Sequence, residues 1–129
     1  MPISELTSRT DALKTRTKDF AIRIFRLVDA LPKSVQGRAV LNQIIRSGTS
    51  MAANYRAACR ARSRAEFIAK IGVVEEEADE TLFWLELIIE TGLLPLTKLK
   101  PLLREADEIV SIMAASLKSA IANRQSAIQ

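Results

Sequence analysis

Five arginines and a run of carboxylates are the residues of this chain whose type and spacing could do chemistry. Arg46, Arg56, Arg60, Arg62 and Arg64 fall within nineteen residues, and from Lys33 to Arg64 seven cations stand without a carboxylate. A guanidinium is planar and donates two parallel hydrogen bonds, which suits it to phosphate. The cluster could therefore bind RNA or DNA. No aromatic residue lies between Arg56 and Arg64, so unpaired bases would find no stacking platform there. Contact with nucleic acid is expected to be dominated by the backbone, sensitive to salt and weakly selective for sequence.

From Glu75 to Glu90 the sign reverses, with seven carboxylates and no cation. Glu75, Glu76, Glu77, Asp79 and Glu80 could hold a divalent cation by their oxygens. They could equally pair with the arginines, in the same subunit or a neighbouring one. Carboxylate runs on a single helix are ordinarily solvated or paired, and no metal is expected.

Catalytic signatures are missing. The chain has no histidine and one cysteine, Cys59, which removes the histidine-based triads, mixed histidine–cysteine metal sites and any internal disulfide. Acid–base work by carboxylates would need a cleft that a filled bundle rarely offers. A non-enzymatic protein without a cofactor is expected. The N-terminal stretch has no apolar core behind its charges, so it does not read as a secretory signal. No apolar run approaches the roughly 20 residues needed to span a bilayer. The expected location is the cytoplasm.

Helices must position these groups. Nearly half of the 129 residues are apolar, 5% are aromatic, and there are four glycines and four prolines. That is the composition of one all-α domain. Helix one is expected from about Asp11 to Leu31, with Leu13, Phe20, Ile24, Leu27, Val28 and Leu31 on its apolar face. Pro32 closes it, and residues 1–10 are expected to be a flexible arm.

Ser34 is placed to cap helix two, expected to run to about Ala61. Leu41, Ile45, Gly48, Ala52, Tyr55 and Cys59 make its apolar stripe, with a break near Ser47–Ser50 as the competing reading. Arg46, Ala53, Arg56 and Arg60 share another arc. Cys59 reads as a small core residue and Asn54 as a structural hydrogen bonder.

Ser63 to Glu66 has capping-box spacing, and helix three is expected from there to about Thr91. Its stripe is Phe67, Ile71, Val74, Ala78, Leu82, Leu85 and Ile89, which leaves Trp84 at a bundle edge or subunit contact. Gly92 is the natural C-terminal cap. Thr97 is a candidate cap for helix four, with Pro101 in its first turn and a stripe from Leu99 to Ile121. The tail 124–129 is expected to fray. Four amphipathic helices with short turns, spanning residues 11–123, predict an up-down-up-down four-helix bundle.

The charge is also unevenly divided. Residues 1–74 carry 14 cations and 5 carboxylates, residues 75–129 carry 5 cations and 10 carboxylates. A basic face could meet polyanions or the chain's own acidic helix.

The stretch Gln43-Ile-Ile-Arg-Ser-Gly-Thr-Ser50, Ala53-Asn-Tyr-Arg-Ala-Ala58, Ser63-Arg-Ala-Glu-Phe-Ile-Ala-Lys70, Glu76-Glu-Ala-Asp-Glu-Thr81 and Phe83-Trp-Leu-Glu-Leu87 resembles the four-helix-bundle proteins encoded in intervening sequences of 23S ribosomal RNA genes. A relative is the accessory variability determinant of diversity-generating retroelements. The resemblance implies a bundle that assembles as a ring-shaped homopentamer. It also implies affinity for structured RNA or DNA through a basic surface. Many members have Ile-Ala-Glu-Gly after the asparagine, whereas Asn54 here is followed by Tyr55-Arg56-Ala57-Ala58, which makes this helix more basic. Two functions are carried forward. One is a nucleic-acid-binding accessory protein acting through Arg46, Arg56, Arg60, Arg62 and Arg64. The other is an oligomeric adaptor for a protein partner, with the arginines used in internal salt bridges.

Overall fold

The computed structural model describes residues 2–128 and contains four helices: α1 Ile3–Val28, α2 Val35–Ala58, α3 Arg64–Glu90 and α4 Leu96–Ile128. Met1 of the expected arm and Gln129 of the expected tail lie outside the described residues. Among the described residues there is no strand, and the fold is all-α.

Paired residues give the helix directions. Lys14 and Lys18 lie beside Arg56 and Arg60 while Ile24 lies beside Gly48. Arg56 and Arg60 lie beside Glu66 and Lys70 while Val40 lies beside Trp84 and Leu87. Arg64 reaches Asn123 while Glu75 and Asp79 lie beside Val110 and Leu117. Moving forward on one helix therefore means moving backward on its neighbour, an up-down-up-down order enforced by short turns. Consecutive helices pack closely, while α1 and α4 touch only sparsely. The ring of four is least closed between its first and last members.

The core fills the space between apolar faces. Phe20, Ile24, Ile44, Met51, Ile71, Leu85, Ile88, Leu99, Ile109 and Met113 are almost completely buried. Each removes on the order of 2 kcal/mol worth of apolar surface from water. Helix one keeps its expected face, with Thr17 added beneath Phe20. On α2 the face differs by one residue from the expected stripe. Val40, Ile44, Ser47, Gly48, Met51, Tyr55 and Ala58 point inward, and Leu41, Ile45, Ala52 and Cys59 lie half-buried at its flank. The small, polar Ser47 was not legible as a core residue, because its burial depends on a partner hydroxyl on another helix. The same rotation moves α3 inward onto Thr81 and Ile88 in place of Leu82 and Ile89.

Helix ends mostly follow local chemistry. Ser34 Oγ accepts from the Gly37 amide at 3.1 Å, and Ser63 Oγ accepts from the Glu66 amide at 3.0 Å. Glu66 completes the cap through the Arg62 amide, not that of Ser63. Gly92 has φ 75°, with Gly92 N–H bonded to Ile89 and Leu93 N–H to Ile88, so both orphan carbonyls are satisfied. Helix α2 runs through Ser47–Ser50 without a break.

Five boundaries differ from expectation, two of them by three residues: α1 ends at Val28 and not Leu31, and α2 at Ala58 and not Ala61. Helix α1 starts at Ile3 and not Asp11, supported by the Glu5–Arg9 pair four residues apart. Helix α4 starts at Leu96, after Pro95, so Thr97 is not its cap and Pro101 lies inside the helix. Helix α4 also continues to Ile128, past Asn123.

Candidate nucleic-acid interface

Register decides which arginines remain available. The Ser47–Thr81 contact sets Arg46 level with the acidic part of α3. Arg46 donates to Glu77 Oε2 at 2.9 Å and also to Glu80, so its fork is occupied by two carboxylates. The hydrogen bond to Glu80 is the main reason its pKa is raised. Going up α2 means going down α3, so Arg60, in the turn after α2, stands beside Glu66 and Lys70. Glu75 is five residues past Lys70, roughly 7.5 Å along α3 at 1.5 Å per residue.

Arg56, Arg60 and Arg62 are exposed and, among the described residues, form no ion pair. Arg64 donates to the Asn123 carbonyl at 3.0 Å and ties α3 to α4. The five arginines therefore divide: Arg46 is held by carboxylates, Arg64 by a backbone carbonyl, and the remaining three face solvent.

Arg56 and Arg60 form a ridge between two open grooves. On one side is a groove of about 480 Å³ between α1 and α2, where Lys14 and Lys18 join Arg56 and Arg60 above a floor that includes Ala52 and Ala53. On the other is a groove of about 550 Å³ where the two arginines meet Arg62, Glu66 and Lys70. Glu66 is partly committed to its cap on the Arg62 amide. The surface thus draws on three helices. Reasoning from the arginines of helix two and the following turn missed Lys14, Lys18 and Lys70. The i, i+4 spacing of Lys14 and Lys18 was visible in the sequence, but their alignment with Arg56 and Arg60 depends on helix pairing.

The remaining candidates have structural roles. Asn54 Nδ2 donates to the Ser50 carbonyl and hydroxyl at 2.9 and 3.0 Å, within its own helix. Burial pushes the Cys59 thiol up in pKa, against the lowering effects of Tyr55 and Lys14, so the thiol stays protonated and weakly nucleophilic. Among the described residues no three histidine, cysteine or carboxylate side chains converge as metal ligands would. None of their helices is long and apolar enough to cross a membrane. Trp84 packs partly buried beside Phe83, with ring centroids 4.9 Å apart, and its Nε1–H donates to Glu80. It also lines an apolar groove of about 500 Å³ with Val40, Leu87 and Leu93.

This architecture has known counterparts. The profile of the 23S rRNA-intervening sequence protein family matches residues 12–115. A solved structure of a protein with unknown function, from the S23 ribosomal protein family of Bacteroides thetaiotaomicron VPI-5482, is similar with a TM-score of 0.76. Sequence identity to it is 36%, over 81% of this chain and 97% of that one. No curated protein matches the chain.

Proposed function

Because the chain belongs to the 23S rRNA-intervening sequence protein family, we propose that it is a non-enzymatic accessory protein that binds structured RNA or DNA. The contacts are made by Arg56, Arg60 and Arg62, with the neighbouring lysines. One observation carries this reading. These arginines have no carboxylate partner among the described residues, whereas Arg46, a few turns away, is fully paired. Clustered unpaired cations raise the local concentration of a polyanion and gain from releasing its counterions.

The protein acts as a homo-oligomer, a five-membered ring as the family resemblance implies. Ile22, Phe25, Val73 and Phe83 support this part, since all are large, apolar and exposed on the outside of the isolated chain. Sedimentation of the purified protein tests it, and a monomer at micromolar concentration would remove it. On this reading the protein works in the cytoplasm, beside its nucleic acid.

The deciding experiment titrates structured RNA and duplex DNA over a salt series, with wild type and Arg56→Gln/Arg60→Gln. Micromolar or tighter binding that weakens with salt and collapses in the variant is expected. The groove beside Trp84 supports a second reading, an adaptor that docks a protein partner. That interface would respond little to salt, and no nucleic acid would bind even at low salt.

A further inference from the structure

We propose that the groove between α1 and α2 grips the sugar–phosphate backbone of one strand of a duplex or RNA stem, with the bases paired outward. Lys14 and Lys18 form one bank, and Arg56 and Arg60 the other. This rests on the nucleic-acid reading and narrows it to a place and a conformation of the ligand.

Four cations line the groove without a carboxylate. Within each bank the two charges are four residues apart, about 6 Å at helical rise, with Arg60 in the tight turn that continues α2. A strand of duplex carries one charge per roughly 3.4 Å of axis, so each bank spans about two phosphates. The arrangement suits a chain of phosphates better than an isolated one. Ala52 and Ala53 keep side-chain bulk out of the floor, which lets a backbone ridge approach closely.

No aromatic side chain lines the groove. Bases turned inward would lose their pairing and gain no stacking surface in return. The strand that fits therefore presents its phosphates and keeps its bases paired. The competing contact is weak: Lys14 lies 3.2 Å from Asp11, a largely exposed pair, and such pairs yield readily to a stronger anion.

The test measures fluorescence anisotropy of a labelled RNA hairpin and an unpaired oligouridine with equal phosphate number, from about 50 to about 200 mM salt. The full-length protein is compared with Lys14→Gln/Lys18→Gln, Arg56→Gln/Arg60→Gln and, as a control on α4, Lys98→Gln/Lys100→Gln. Oligomeric state and Tm of each are checked first. The hairpin is expected to bind several-fold tighter than oligouridine. Removing either bank should lower the log–log salt slope by about 2, one for each lost phosphate contact, and the control should leave it unchanged. If only the Arg56/Arg60 variant loses slope, the groove is overturned and the nucleic-acid reading survives. Oligouridine binding as tightly as the hairpin also overturns the groove. Failure of wild type to bind either ligand sinks both.

Discussion

The hydroxyls of Thr81 and Ser47 share a 2.8 Å hydrogen bond, fully buried between α2 and α3. Thr81 Oγ1 also lies 2.8 Å from the Glu77 carbonyl, while Ser47 reaches the Ile44 carbonyl only at 3.4 Å. The two partners are therefore unequal. Thr81→Val keeps the shape but leaves Ser47 with one long bond, and should cost about 2 kcal/mol. Ser47→Ala leaves Thr81 its good carbonyl and should cost about 1 kcal/mol or less. Urea unfolding of both single variants and the double variant measures their coupling, expected near 1 kcal/mol. Strict additivity would mean that the hydroxyls act independently.

Two helical glycines should respond oppositely to alanine. A Cβ on Gly48 would stand 3.3 Å from both γ carbons of Ile24, whereas one on Gly72 meets nothing within 4 Å. Ile24 is completely buried and its β-branched side chain is stiff, so it yields poorly. Gly72→Ala should gain up to about 1 kcal/mol from helix propensity. Gly48→Ala should lose that gain and about 1 kcal/mol more to overpacking. Thermal melts of the pair decide, and a stabilised Gly48→Ala would show that α1 can shift away from α2.

Four helices, their order and three of their ends were legible in the sequence, because apolar period, Ser34, Ser63 and Gly92 are local signals. The inward faces of α2 and the end of α3 were less so. Leu41 and Ile45 outweigh Ser47 in a hydrophobic reading, yet Ser47 is buried because Thr81 satisfies it. The candidate surface was half legible. Arg56, Arg60 and Arg62 could be read from one stretch, but the capture of Arg46 by Glu77 and Glu80 depends on register. Lys14 belongs to the surface only because α1 folds back on α2.

Acid should loosen the contact between α1 and α4. Arg16 forms a fork with Glu105, Nε to Oε2 at 2.8 Å and Nη2 to Oε1 at 2.6 Å. The hydrogen bond from Arg16 is the main cause holding Glu105 below the usual carboxylate range. A carboxylate whose pKa is lower folded than unfolded adds stability above its unfolded value, near pH 4.3. That stability is lost as pH falls through the folded value. Glu105→Gln should cost about 1 kcal/mol at neutral pH, with the gap to wild type closing below about pH 4. Denaturant midpoints of both proteins across that window give the answer. A gap that stays constant into acid would mean the fork contributes through packing and not charge.

Arg46 on α2 and Arg60, two residues past its end, are fourteen residues apart in the chain, yet they should differ in kind when changed to glutamine. Arg46 is already bound to Glu77 and Glu80, so it offers little to a phosphate. Arg60 has no partner among the described residues and lines both basic grooves. Arg60→Gln should lower the salt slope of RNA binding by about 1, with Tm unchanged. Arg46→Gln should do the reverse, lowering Tm by unpairing two carboxylates while the slope holds. The two variants are measured together by anisotropy and thermal melt. Equal losses of slope would mean that Arg46 leaves its carboxylates when nucleic acid arrives, and the register would not be what divides the arginines.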